Sequence, residues 1–176
     1  DRGLVGSEMC IRDRLKALAP DALPATWHGH AMSFAYVGAS ALDEGVEGLA
    51  DQLAYDFSLF DQHACLSPQV CFVESSGAMD PRDFAERLAC HMERWLERLP
   101  PRQLNAADHA RLRVAYDAVD LECALKGTEG ERLSPPDRLQ AQVVYEPRGR
   151  YEPVPLERFV RVIPVRNITE LLSLIH

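Results

Sequence analysis

Residues 58–74 have the sequence SLFDQHACLSPQVCFVE, and a cysteine stands near the middle of this stretch. Apolar residues at helical spacing precede it, and a strand-like run at 69–74 ends it. Cys65 is therefore predicted to lie in a loop between a helix and a strand. Its small and polar neighbours, and the Ser67-Pro68 pair that makes the chain turn, favour an accessible thiol over a core cysteine.

The residues before and within this stretch predict a βαβ unit. Residues 33–39 form a short run with aromatic and β-branched residues, which is typical of a strand. Apolar residues repeat at helical spacing over 43–57, with Asp43 as the predicted N-cap: Val46, Leu49, Ala50, Leu53 and Phe57. A strand, a helix, the Cys65 loop and the strand at 69–74 require a right-handed crossover and favour a parallel sheet.

Three helices are predicted after the second strand. The first begins with Asp80 as its N-cap and Pro81 at its first helical position, and it continues to about residue 99. The second covers about residues 106–126. Asn167, with Glu170 three residues later, is the pairing expected at the start of the third.

Two strands and one loop complete the prediction. Residues 127–137 contain two glycines and a Pro-Pro pair, which indicates an exposed loop. Strands are predicted at about 141–145 and 159–165, and Pro164 marks the second as an edge strand or an ending strand. The alternation of strands and helices predicts the α/β class.

The composition indicates a single globular domain. The chain has 176 residues, 47% of them hydrophobic, and its formal net charge of -8 argues against a nucleic-acid or anionic-membrane partner. Five cysteines without a CxxC pair fit reduced thiols better than a disulfide framework or a zinc module. Since the sequence contains neither a long apolar run nor a signal-peptide pattern, we expect a soluble, cytoplasmic protein.

The two ends of the sequence resemble adapter sequence that has been read as protein. We therefore expect residues 1–14 and 172–176 to be non-native and residues 15–171 to form the thiol-bearing domain. Genuine terminal helices are the alternative. Neither GxGxxG nor GxxxxGK[ST] occurs, so the sequence encodes no self-contained phosphate cradle.

The stretch from Ser58 to Gln69, continuing to Phe72-Val73-Glu74, resembles the active-site segment of the long-chain acyl-CoA reductases. That family includes the reductase of the bacterial luminescence system and is a branch of the aldehyde dehydrogenase superfamily. The resemblance implies an α/β fold like the aldehyde dehydrogenase catalytic domain, with a mostly parallel sheet that is incomplete here. It also implies that most of the dinucleotide-binding domain is missing, so we interpret the chain as a fragment.

The same resemblance implies NADPH-dependent reduction of a long-chain acyl-CoA to the aldehyde, with Cys65 as the nucleophile. A thiolate exchanges readily with a thioester, so the product of the first step is an acyl-enzyme. The backbone N–H of Cys65 is implied as one oxyanion donor. Gln62 and His63 are both close enough in sequence to donate to the oxyanion or to orient the acyl group. Glu157 matches a ribose-binding glutamate of the superfamily, and a solvated surface glutamate is the alternative.

The expected substrate is long-chain acyl-CoA. The luminescence relatives imply an acyl-protein synthetase and an acyl-transferase subunit as partners, and we expect a homo-oligomer.

Hydrolysis of the acyl-enzyme requires an activated water molecule. In aldehyde-oxidising relatives a glutamate that precedes the cysteine in the sequence activates this water. The comparable segment here is Trp27-His28-Gly29-His30, so hydrolysis of the acyl-enzyme is expected to be slow.

A cysteine acyltransferase or thioester hydrolase without nicotinamide chemistry is the alternative function. It requires a base such as His63 or His109 with an orienting carboxylate, and no such spacing stands out. His28 and His30 lack the paired cysteines or helical HxxxH of a metal site, so no metal is predicted. A plain interaction module would leave the Cys65 loop unexplained. Three other cysteines are predicted to be packing residues: Cys71, Cys90 and Cys123.

Overall fold

A computed structural model describes residues 14, 17–20, 32–43, 45–126, 130–135 and 138–175. The chain divides into two compact units, residues 1–31 and 32–176. Within the first unit, Arg14, Ala17 and Leu18 are helical. The predicted segment Trp27-His28-Gly29-His30 lies outside the described residues.

The second unit has an α/β architecture. Its strands are β1 Ser33–Val37, β2 Pro68–Glu74, β3 Glu131–Arg132, β4 Gln142–Tyr145 and β5 Phe159–Val165. Its helices are α1 Val46–Ser58, α2 Pro81–Arg98, α3 Ala106–Lys126 and α4 Ile168–Ile175, with short 3-10 turns at Ala39–Leu42 and Leu59–Gln62.

The five strands form one sheet in the order β1-β2-β5-β4-β3. The pairs β1/β2, β2/β5 and β4/β5 are parallel, and β3 pairs antiparallel with β4 at one edge. The α/β class and the mostly parallel sheet are therefore confirmed, as is the β1-α1-β2 crossover. The loop predicted at 127–137 instead contributes β3 at 131–132.

Two faces of the sheet carry separate clusters of buried side chains. Helices α1 and α2 cover one face, where Phe57, Phe84 and Leu88 pack against Cys71 and Val162. Helices α3 and α4 pack against the alternate strand residues, which point to the other face, so the sheet is covered on both faces. The cluster under α3 contains Leu112, Tyr116, Val144 and Phe159, and the cluster under α4 contains Val70, Phe72, Ile163 and Leu171. Full burial of one such side chain stabilises the fold by about 1.5–3 kcal/mol.

Side chains at two of the three predicted caps define where helices begin. Asp80 accepts a hydrogen bond from the Arg82 N–H at 2.8 Å, with Pro81 at the first helical position, as predicted. Asn167 accepts from the Glu170 N–H at 3.0 Å. The prediction for Asp43 is wrong, because Gly45 is the residue at the N-cap of α1. Gly45 has a φ of 73°, a left-handed conformation that glycine adopts without strain. The Asp43 carboxylate instead accepts from the Ala78 N–H at 3.0 Å.

Strand β5 lies in the interior of the sheet, between β2 and β4. The prediction of an edge strand from Pro164 is therefore wrong, whereas its alternative, an ending strand, agrees with the structure. Pro164 is the residue before the last in β5, and β4 pairs with β5 only as far as Val162. A proline is tolerated here because the β4 side of the strand makes no ladder hydrogen bond at that level.

The described cysteines of the second unit differ in how deeply they are buried. Cys71 is fully buried in the core, and Cys123 is half-buried with its thiol donating to the Gly130 carbonyl at 2.9 Å. Cys90 is exposed on α2, so the prediction that it is a packing residue is wrong.

Helix α4 continues through residues 172–175. No helix in the described part of the chain is long and apolar enough to span a membrane.

Candidate active site

The predicted site residues lie at the amino ends of two adjacent parallel strands. The Cys65 loop leads into β2, and Glu157 stands two residues before β5. Because β2 and β5 are parallel neighbours, both of these connections reach the same end of the sheet. The structure thus brings together segments that are more than 90 residues apart in sequence, as the contact between His63 and Glu157 illustrates.

Cys65 is exposed, in the loop between α1 and β2, as predicted. The Ser33 hydroxyl donates to the Cys65 carbonyl at 3.0 Å, and the Ser67 N–H donates to the Ala64 carbonyl at 3.0 Å. The loop is therefore held by its backbone, which leaves the thiol available. Cys65 lines an open groove of about 630 Å³, whose other walls are mostly apolar: Phe34, Tyr36, Leu53, Leu59, Phe60, Leu66 and Pro68.

Gln62 is buried and braces the loop against the sheet. Its Nε2 donates to the Pro68 carbonyl at 3.1 Å and to the Phe159 carbonyl at 3.0 Å. These carbonyls stand at the starts of β2 and β5, so one side chain joins the two strand entrances. The Gln62 Oε1 is buried without a hydrogen-bond partner among the described residues.

Glu157 is fully buried and lies in a cluster of polar groups, so the alternative of a solvated surface glutamate is wrong. The His63 Nε2 lies 2.7 Å from Glu157 Oε1. The Arg102 guanidinium donates to the same oxygen, and Arg111 lies 3.5 Å from it. Burial alone would raise the Glu157 pKa, but hydrogen bonds from His63 and Arg102 outweigh burial and lower it. The carboxylate is thus kept ionised at neutral pH.

The second carboxylate oxygen of Glu157, Oε2, is buried and has no hydrogen-bond partner among the described residues. Unpartnered buried polar atoms are rare in folded proteins, because each loses its hydration without compensation. The described residues leave this acceptor unused. Because the oxygen is also shielded from solvent, a donor on a ligand, such as a ribose hydroxyl, reaches it only after neighbouring side chains move.

Both connections adopt an unusual backbone. Residues 60–62 have φ values of 53°, 50° and 65°, and residues 156–158 have φ values of 66°, 60° and 65°. None of these residues is glycine, and the left-handed conformation costs an ordinary residue about 1–2 kcal/mol. Such backbone occurs at functional sites when the surrounding structure holds it in place. We call these segments the 60–62 turn and the 156–158 turn.

Sequence reasoning missed the charged residues that hold these turns. The Asp61 carboxylate pairs with Arg158, which is almost completely buried, at 2.6 Å. The Arg102 side chain also donates to Asp108 at 2.8 Å, and hydrogen bonding to Glu157 raises the Arg102 pKa. One signal was available: Glu157 and Arg158 directly precede an apolar run that becomes a buried strand, where charged side chains require partners.

No group of three or more His, Cys, Asp or Glu side chains in the described ranges could hold a metal ion. His28 and His30 lie outside those ranges. His109 is on α3, in the first turn of the helix, and its backbone N–H donates to the Asn105 carbonyl at 3.0 Å.

Comparison with known sequences identifies the family of the chain. The family described as acyl-CoA reductase (LuxC) matches residues 6–176. The chain belongs to this family. A search of curated proteins finds no significant match for this acyl-CoA reductase family member.

Solved structures establish that this acyl-CoA reductase family member has part of the aldehyde dehydrogenase fold. An NADP-dependent glyceraldehyde-3-phosphate dehydrogenase from Bacillus halodurans C-125, complexed with NADP, matches with a TM-score of 0.58 and 15% identity, over 82% of this chain and 31% of that one. A methylmalonate-semialdehyde dehydrogenase from Oceanimonas doudoroffii matches with a TM-score of 0.58 and 12% identity, over 84% and 32%. The chain thus spans about a third of the length of these relatives.

Proposed function

We propose that the chain is the thiol-bearing catalytic part of an NADPH-dependent long-chain acyl-CoA reductase, with residues 15–171 as the domain fragment. The observation that carries this proposal is the joint placement of Cys65 and Glu157. An exposed thiol lines an apolar groove, and a buried carboxylate with one unpartnered oxygen stands at the start of the neighbouring strand. A dinucleotide-binding segment outside this chain completes the site.

The first step is acyl transfer to Cys65. The Cys65 thiolate attacks the thioester carbonyl, a new carbon–sulfur bond forms, and the bond to coenzyme A breaks, so coenzyme A leaves as its thiolate and takes up a proton. The apolar walls of the groove suit an alkyl chain, since they remove it from water. The backbone N–H of Cys65 is the proposed donor to the oxyanion that forms during the attack.

Glu157 is the proposed contact to the nicotinamide ribose. Its Oε1 is occupied by His63 and Arg102, which fix the orientation of the carboxylate and keep it ionised, while Oε2 is left to accept a ribose hydroxyl. When bound, NADPH supplies the hydride that reduces the acyl group to the aldehyde. His63 thereby orients Glu157, and Gln62 holds the Cys65 loop between β2 and β5.

The longer enzyme is also proposed to be a homo-oligomer. It would receive acyl groups from acyl-CoA directly, or from an acyl-protein synthetase and an acyl-transferase subunit. A cytoplasmic location would suit the reduced thiol that the reaction needs.

Intact and peptide mass spectrometry of the full-length reductase, incubated with tetradecanoyl-CoA, tests the proposal. We expect an acyl adduct on the Cys65 peptide that disappears on addition of NADPH as the aldehyde appears. Cys65→Ala should abolish the adduct, whereas Cys90→Ala, which removes an exposed cysteine on α2, should leave it in place. Folded protein without any adduct on Cys65 would refute the nucleophile assignment.

One observation favours the alternative of an acyltransferase or thioester hydrolase. His63 and Glu157 form the pair of a base and an orienting carboxylate that this chemistry requires. The same incubation separates the two functions. An adduct that clears to water or to a second thiol without NADPH, and that persists in His63→Ala, would assign the alternative.

A further inference from the structure

We propose that Asp61 is a positioning residue that holds the nucleophile loop and the cofactor-side carboxylate in one geometry. The inference rests on the proposed function and adds a residue to it. Asp61 stands four residues before Cys65, yet it does not line the groove of Cys65. Its contacts are instead with the segments that carry Glu157 and Arg102.

Asp61 ties the 60–62 turn to the 156–158 turn through both its backbone and its side chain. Its carbonyl oxygen accepts the Glu157 N–H at 3.2 Å. Its Oδ1 accepts the Arg158 Nε–H at 2.6 Å. Because each turn consists of non-glycine residues with left-handed backbone, each depends on outside contacts to keep its conformation. Here each turn supplies those contacts to the other.

The other oxygen of Asp61 extends the connection to a third segment. Asp61 Oδ2 accepts the Arg102 N–H at 3.0 Å, and the side chain of Arg102 reaches Glu157. Asp61 thus contacts the backbone of Glu157 and also the residue whose guanidinium orients the Glu157 carboxylate. Asp61 therefore ties Glu157 to the loop that carries Cys65, directly through its backbone carbonyl and, by way of Arg158 and Arg102, through its carboxylate.

Arg158 makes this connection difficult to replace. Its side chain is 1% exposed, and that of Asp61 is 13% exposed. The second donor of Arg158 that the structure describes goes to the Leu99 carbonyl at 2.8 Å, a neutral group. Asp61 is therefore the carboxylate that balances a buried guanidinium, and removing it leaves a buried charge without a counter-charge.

The expected consequence is specific to the reduction step. Acylation of Cys65 requires the thiol, the groove, the backbone N–H donor and acyl-CoA, and the protein groups among these belong to the Cys65 loop and its groove, whereas reduction also requires the nicotinamide at the correct distance from the acyl carbon. A displacement of about 1 Å between reacting groups lowers a rate on the order of 100-fold. Loss of the Asp61 contacts should therefore slow reduction of the acyl-enzyme far more than it slows acylation.

Single-turnover measurements on the full-length reductase test this inference. Acylation of Cys65 by tetradecanoyl-CoA and its subsequent reduction by NADPH are timed separately by mass spectrometry in Asp61→Asn. We expect reduction to slow on the order of 100-fold and acylation to slow by only a small factor. Equal losses in both steps, or an unchanged reduction rate, would overturn the assignment. A wild-type enzyme that forms no adduct, or whose adduct ignores NADPH, would instead refute the proposed function.

Two further variants separate positioning from general stability. Asp61→Asn with Arg158→Gln removes the buried charge together with its counter-charge, so it keeps the fold if the single variant unfolds, and it should show the same selective loss of reduction. Asp80→Ala removes the N-cap of α2 far from the site and should leave the ratio of the two rates unchanged. A selective loss of reduction in Asp80→Ala would also overturn the assignment.

Discussion

Glu157→Gln is the substitution that most directly tests the electrostatics of the site. Glutamine keeps the shape of the side chain but removes the charge that His63 and Arg102 contact. A hydrogen bond to a charged group contributes about 1.5–3 kcal/mol. His63 is 37% exposed and Arg102 is 32% exposed, so both regain water when the charge is lost, and that offsets part of the loss. We expect the free energy of unfolding at pH 7.5 to fall by about 2 kcal/mol.

The loss should depend on pH in a defined direction. The pKa of Glu157 in the folded chain is lowered below that of an unfolded glutamate, which is about 4.3. A group with a lowered pKa contributes stability above its unfolded pKa and loses it as pH falls through the folded value. The difference between wild type and Glu157→Gln should therefore be full above about pH 5 and should narrow below about pH 4.3.

Urea unfolding, followed by tryptophan fluorescence and circular dichroism, measures this difference at a series of pH values. Glu152→Gln is the matched control, because Glu152 is an exposed glutamate five residues earlier in the chain. It should change the free energy of unfolding by no more than about 0.5 kcal/mol at any pH. A Glu157→Gln variant that is as stable as wild type at pH 7.5, or whose deficit persists unchanged into acid, would refute the reasoning.

Other predictions concern the core, the cap of α2 and the thiols. Phe57→Ala should lower the free energy of unfolding by about 3–5 kcal/mol, measured in urea, because Phe57, near the end of α1, is fully buried. Asp80→Ala should lower it by about 1 kcal/mol, since the Arg82 N–H loses its acceptor. In native protein at pH 8, iodoacetamide should modify Cys65 and Cys90 but not Cys71, because burial raises the pKa of the Cys71 thiol to about 12. Peptide mass spectrometry measures the labelling of each cysteine. Modification of Cys71 would show that β2 is not packed as described.

The sequence predicted the elements of the sheet well because their patterns are local. The strand-like run at 69–74 and the apolar repeat of 43–57 appear as β2 and α1, each within a few residues of the predicted bounds. Asp80 followed by Pro81 predicted the start of α2 because an N-cap acts on backbone donors within the next turn. Predictions failed where the evidence was a single residue: Asp43 finds its partner at Ala78, 35 residues later in the chain.

Local sequence patterns could not predict the polar cluster around Glu157. Whether a glutamate is solvated or buried depends on what packs over it, and here His63 and Arg102 come from 94 and 55 residues away. The left-handed turns could not be predicted either, since their residues carry none of the glycines that mark such conformations. Both features arise from contacts between segments that are distant in sequence.

The sequence by itself therefore determined the α/β class, the βαβ unit and the placement of Cys65 in a loop before a strand, because hydrophobic periodicity and turn residues act over a few positions. Only the tertiary structure decided that β5 lies beside β2, and with it that Glu157 is buried next to the Cys65 loop. The reason is that the strand order is set by which faces and edges pack together across the whole chain. A carboxylate acquires its partners, its ionisation and its free oxygen only from that packing.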